Sequence, residues 1–132
     1  MRRLIAVVAA LGSAALLIPA AASASGTVNV TFANFKVKPA KSSTGAGRTA
    51  FVVKNSDSMT HQLVVIKTRR RAGDLPVSGG RASEKGKVGA VDDVGRGQTK
   101  RLTLNLKKGH YALICNLPGH YQGGMFADFT VR

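Results

Sequence analysis

Residues 115–125 read Cys115-Asn-Leu-Pro-Gly-His120-Tyr-Gln-Gly-Gly-Met125, and they lie between two apolar runs at 111–114 and 125–131. The segment sets a thiol, an imidazole and a thioether at two successive five-residue steps. Both flanks read as strands, one entering and one leaving. A turn between two strands can aim three soft side chains at one point. A fold that uses them together must also bring a fourth group from elsewhere in the chain.

A thiolate, two imidazoles and a weak axial thioether form the ligand set of a copper electron-transfer site. The segment supplies three of the four, so a second histidine is required. The chain has three: His61, His110 and His120. His110 lies five residues before Cys115, at the far end of the incoming strand. At about 3.3 Å per residue it is roughly 16 Å from the thiol, which makes it a surface turn residue rather than a ligand. His61 closes a polar turn, Asn55-Ser-Asp-Ser-Met-Thr-His61, that runs into Gln-Leu-Val-Val-Ile66. It is the better fourth ligand. Zinc is the rival metal, but its usual ligands are Cys, His and carboxylates, and Met125 favours copper.

The amino terminus predicts export. A basic head, Met1-Arg2-Arg3, precedes an apolar core over residues 4–18 and a small-x-small cleavage pattern at Ala22-Ser-Ala24. These are the parts of a secretory signal peptide over residues 1–24, cleaved near Ala24. The apolar run is shorter than the ~20 residues that span a bilayer. The mature chain, residues 25–132, is then one extracytoplasmic domain with enough length for one core. Export also sharpens the meaning of the single cysteine. Disulfides are possible outside the cell, so an unpaired thiol there calls for an occupant. A buried, inert cysteine is the ordinary alternative, and the spacing to His120 and Met125 outweighs it.

The formal charge is +14; without Arg2 and Arg3 it is +12, from 18 basic and 6 acidic residues. Arg69-Arg70-Arg71 is the dense cluster. Such a surface favours acidic proteins or an anionic envelope. No basic strand is interleaved with aromatics in the manner of a base-stacking surface, so specific nucleic-acid binding is not expected.

Alternation at period two runs through the mature chain. It is plain at Val28, Val30 and Phe32, and at Leu102, Leu104 and Leu106. Phe51-Val-Val53 and Leu63-Val-Val-Ile66 form further apolar runs. About seven strands and no convincing helix predict an all-β Greek-key β-sandwich. Phe32, Phe35, Phe51, Phe126 and Phe129 are its expected large core pieces. Residues 68–98 break the pattern and read as a long solvated excursion without a role, with a short helix near 83–87 or a short edge strand near 88–94.

Taken together, these residues resemble the cupredoxins, the small blue-copper proteins of the plastocyanin, azurin and sulfocyanin kind. The resemblance covers the mature chain and is most specific at 109–125 and 55–61. It implies that His61, Cys115, His120 and Met125 hold one copper ion per chain, cycling between Cu(I) and Cu(II). It also implies that Asn55 pins the two ligand-bearing segments together. The backbone N–H groups of Gln62 and Asn116 are expected to reach the Cys115 sulfur, and Pro118 and Gly119 to shape the loop. The gap from Cys115 to His120 is longer than the plastocyanin-type loop and closer to sulfocyanin and rusticyanin. The implied activity is that of a monomeric one-electron carrier between redox proteins. Copper storage or delivery is the alternative, and no enzyme activity is expected.

Overall fold

The computed structural model describes residues 26–132, together with Gly12 and residues 14–17. Apart from those few positions, the leader expected over residues 1–24 lies outside the described residues. Among the described residues, no helix is long and apolar enough to cross a membrane.

Eleven strands are present among the described residues: β1 (Gly26–Ala33), β2 (Lys36–Pro39), β3 (Ser43–Thr44), β4 (Gly47–Asn55), β5 (His61–Lys67), β6 (Val77–Ser78), β7 (Arg81–Ala82), β8 (Lys87–Val94), β9 (Thr99–Leu106), β10 (Gly109–Ile114) and β11 (Phe126–Val131). One sheet has the order β2-β1-β4-β9 and the other β3-β11-β10-β5-β8; β6 and β7 pair apart from both. The chain crosses between the two large sheets on either side of β3, between β4 and β5, between β8 and β9, and between β9 and β10. This is the Greek-key β-sandwich that the alternation predicts. The strand number exceeds the expected seven because short polar segments also pair. β2, β3, β6 and β7 form through backbone bonds that leave little side-chain pattern.

The core follows from period two. In β1, Val28, Val30 and Phe32 point inward and are buried, while Thr27 and Asn29 face solvent. Phe51 and Val53 of β4, Leu63 and Val65 of β5, Leu113 of β10 and Phe129 of β11 meet them between the sheets. Each such side chain contributes about 1.5–3 kcal/mol on burial. Two of the five phenylalanines depart from expectation. Phe126 is 37% exposed, and Phe35 is only partly buried against the core.

β5 and β10 are buried on both faces. Val64, Ile66, Ala112 and Ile114 point away from the sandwich interior and form a second apolar cluster with Ala72, Leu75, Ala82 and Tyr121. The 68–98 excursion therefore has a role: its first half covers the outer face of the five-stranded sheet. It contains a 3-10 turn at Ala72–Asp74, the β6–β7 hairpin and the edge strand β8. The alternative short helix near 83–87 does not form.

The β1–β2 connection is a two-residue turn in which Asn34 and Phe35 both adopt left-handed backbone (φ 53° and 55°). Such a turn suits the twist of a hairpin. A bulky residue there carries about 1–2 kcal/mol of strain, so something must hold Phe35 in place.

Candidate metal centre

β5 begins with His61, and β10 ends one residue before Cys115. Because β5 and β10 are neighbours in one sheet, residues 54 positions apart meet. The ladder from β5 to β8 shifts register between His61 and Leu63, and the Gln62 N–H donates to Cys115 Sγ at 3.4 Å. The β10–β11 ladder continues past its last pair: the Cys115 N–H donates to the Met125 carbonyl at 3.1 Å. Between them, Leu117-Pro118-Gly119-His120 closes a turn, the His120 N–H donating to the Leu117 carbonyl at 2.9 Å. Proline at the second position and a left-handed Gly119 (φ 79°) at the third are what a type II turn demands. Pro118 and Gly119 thus shape the loop as their chemistry predicts. The Met125 N–H returns to the His120 carbonyl at 3.2 Å.

Three donor atoms converge. His61 Nδ1 and His120 Nδ1 are 3.2 Å apart, and Cys115 Sγ lies 3.8 Å from the first and 3.5 Å from the second. His61 and Cys115 are fully buried, and His120 is 8% exposed. Met125 is fully buried in the same apolar cluster as Cys115. His110 is elsewhere, at the start of β10, where its ring nitrogens face the Thr68 carbonyl and Asp128 Oδ1, each at 2.8 Å. It is a strand residue rather than a turn residue, and it stands outside the donor cluster.

The donor set fits a metal. Ions of this class bind nitrogen and sulfur at about 2.0–2.3 Å, so separations of 3.2–3.8 Å allow one ion to touch all three donors. With the Met125 thioether the set is two imidazoles, a thiolate and a thioether, which is that of a type 1 copper site. The cofactor that this centre fits is one copper ion per chain. Burial pushes the Cys115 thiol above its ordinary value, opposed by the N–H groups of Gln62 and Leu117. Burial also pushes His120 down, with His61 adding to the effect. The imidazole of His120 is thus kept neutral, as a ligand must be, while an incoming ion has to displace the thiol proton.

The surrounding contacts differ from expectation at two residues. The Asn116 N–H donates to Gln62 Oε1 at 3.1 Å rather than to sulfur, and the Leu117 N–H takes the second place at the thiol. Asn55 does not reach the 115–125 loop. Its amide donates to the Met59 and Val94 carbonyls, at 2.7 and 2.8 Å, so it fixes the His61 turn against the end of β8.

Other contacts were missed in the sequence. The Phe35 ring lies 4.8 Å from the His120 ring and 5.8 Å from that of His61. A Cβ on Gly123 would sit 2.4 Å from Phe35, so only glycine leaves the ring its seat. Asp57 Oδ2 lies 3.1 Å from His61 Nε2; a carboxylate four residues before a ligand histidine was the available signal. The excursion grips the loop from outside. The Asn116 side chain exchanges two hydrogen bonds with the Ala82 backbone, and the Gly119 N–H donates to the Gly80 carbonyl. The Tyr121 hydroxyl joins Leu75 and Ala72.

The model of the cupredoxin-like domain family matches residues 3–127. The chain belongs to the cupredoxin-like family. No curated protein matches it by sequence. Among solved structures, this cupredoxin-like chain is similar to a dithionite-reduced auracyanin from Roseiflexus castenholzii, with 21% identity over 83% of this chain and 99% of that one, and a TM-score of 0.61. It is also similar to a rusticyanin from Thiobacillus ferrooxidans, with 16% identity over 83% and 79% of the two chains and a TM-score of 0.65. Auracyanin A of Chloroflexus aurantiacus, described as a blue copper protein, matches at 19% identity over 80% and 98%, with a TM-score of 0.59. At these identities the likeness is one of fold, and the cupredoxin-like centre rests on the chain's own side chains.

Proposed function

We propose that the chain is an exported one-electron carrier whose copper is held by His61, Cys115, His120 and Met125. The observation that carries this reading is the preassembled, buried donor cluster, with separations of 3.2–3.8 Å, in which His61 and Cys115 are fully buried and His120 is 8% exposed. Soft sulfur suits Cu(I), and imidazole accepts both oxidation states. Donors already close together need little rearrangement when the charge of the ion changes.

Electrons pass through the exposed edge of His120. Met59, Pro118 and Gly123 are exposed nearby on the same turns, and Leu117 is partly covered. A small, weakly polar face of this kind suits brief docking with a redox protein. Steering falls to the charge. Lys67, Arg69, Arg70 and Lys85 line a cleft of about 640 Å³ near the far end of β10 from Cys115. None of the four has an ion-pair partner among the described residues. That cleft suits an acidic partner or an anionic envelope surface, and binding to anionic vesicles that high salt abolishes is its test.

Residues 1–24 act as the export leader; intact mass of the protein recovered outside the cytoplasm tests cleavage near Ala24. We read the protein as a monomer, and as a carrier rather than an enzyme; His110, the histidine left over for a second centre, is engaged by Thr68 and Asp128. Copper delivery is the competing use of the same ligands. Complete burial of His61 and Cys115 favours retention over exchange. The deciding experiment adds Cu(II) to the mature protein and records the visible spectrum. An intense thiolate-to-copper band that bleaches on reduction and returns on oxidation supports the carrier. A colourless protein that binds only Cu(I) sinks it.

A further inference from the structure

We infer that Asp57 is a positioning residue for the centre: its carboxylate holds His61 with the proton on Nε2, presents Nδ1 to the ion, and lowers the reduction potential. The inference rests on the copper reading above. Asp57 Oδ2 is 3.1 Å from His61 Nε2, and His61 Nδ1 is the atom in the donor cluster. An ionised carboxylate only accepts hydrogen bonds, so Nε2 carries the proton and Nδ1 keeps its lone pair for metal. A partner on the far nitrogen of a ligating imidazole fixes the ring and raises its basicity.

The carboxylate is itself held. The same Oδ2 accepts the Phe35 N–H at 3.0 Å. The Asp57 N–H donates to Asn55 Oδ1 at 2.9 Å, and the Asn55 amide is anchored to the Met59 and Val94 carbonyls. The side chain of Asp57 is 17% exposed and that of His61 fully buried, so water screens the pair little. One negative charge one ring away from the ion favours Cu(II) over Cu(I). Through the Phe35 N–H, Asp57 also helps hold the strained turn whose ring covers both imidazoles. Among the described residues, no carboxylate hydrogen-bonds the His120 ring. The two imidazoles therefore differ: a carboxylate braces the His61 ring and none braces that of His120.

Asp57→Asn isolates the charge, because the amide oxygen can accept both hydrogen bonds that Oδ2 now takes. We expect Asp57→Asn to stay folded and blue. The Cu(II)-to-Cu(I) affinity ratio should fall about tenfold, a rise of about 59 mV for a one-electron couple. Asp57→Ala should lose the hydrogen bonds as well, with a lower melting temperature and a mixed His61 tautomer. Nitrogen NMR of the metal-free wild type should show His61 protonated on Nε2. A proton on Nδ1, or a potential unchanged in Asp57→Asn, overturns the inference. A wild type that never turns blue refutes the carrier alone, since the metal-free tautomer decides the positioning in either case.

Discussion

Tyr121→Phe tests whether the 72–84 segment holds the ligand loop or merely lies beside it. The Tyr121 hydroxyl donates to the Ala72 carbonyl at 2.6 Å and accepts the Leu75 N–H at 2.9 Å. Both bonds are buried, and Tyr121 is 3% exposed. Phenylalanine keeps the ring among Val64, Ile66, Ala112 and Ile114 but strands a buried carbonyl and a buried N–H. Each stranded group costs about 1–3 kcal/mol, so the expected loss is about 3 kcal/mol. For a domain of this size that lowers the melting temperature by roughly 10–15 °C. Burial pushes the phenol above its ordinary value, so the hydroxyl remains a donor through neutral pH and the result should not depend on buffer. Urea melts of metal-free wild type and variant measure the difference, with equal slopes confirming that the unfolded state is unchanged. The copper spectrum should keep its shape, because Tyr121 is not a donor. A loss below about 1 kcal/mol, the net worth of a single exposed-type bond, would refute the reasoning and return the segment to a solvated excursion.

Gly123→Ala should push Phe35 off the imidazoles, since the new Cβ would lie 2.4 Å from Phe35 Cε1; a loss of about 1–3 kcal/mol is expected, and unchanged ring contacts by NMR would sink the idea. Cys115→Ser should abolish the copper colour, whereas Met125→Leu should keep it and raise the potential, because a thioether would be the weakest of the four donors; voltammetry and absorption check both. The folded-state value of His120 lies below its unfolded one, so the folded protein binds fewer protons. The metal-free protein should therefore lose stability as pH falls through about 6.5. Urea melts at about pH 7 and about pH 5 should show the fall, and His120→Gln should reduce it; an equal fall in the variant rules out His120 as the cause.

The donor cluster was legible because ligand chemistry restricts residue type. A lone cysteine in a chain whose first 24 residues read as a leader, and a thioether ten residues beyond it, left few readings, and strand length alone separated His110 from His61. The sandwich was legible because alternation in β1 and β9 survives burial on one face only. The supports were not legible, because they join segments that share no period. Phe35 and Asp57 are 22 positions apart, and Tyr121 and Ala72 are 49. Asn34-Phe35 also hides its turn, since a left-handed pair normally announces itself with glycine. The excursion misled for a further reason: its apolar residues are few and unpatterned. The usable signal lay in its partners. Runs such as Leu63-Val-Val-Ile66 and Tyr111-Ala-Leu-Ile114 have no polar face, so both strands needed cover on two sides.

That double burial also explains why the centre can be stiff although its donors come from a turn. Cys115 and His61 sit at the ends of strands packed on both faces. The turn itself is held from three directions: Phe35 over the rings, Gly80 and Ala82 against Gly119 and Asn116, and the Cys115–Met125 bond that closes its base. A stiff donor set penalises any geometry that suits only one oxidation state. The charge arrangement follows the same division. His61 is buried against Asp57, while His120 reaches the surface. The cationic cleft opens near the opposite end of β10. On the proposed carrier reading, a partner attracted by that cleft need not cover His120, so attraction and electron passage would be tuned by separate substitutions.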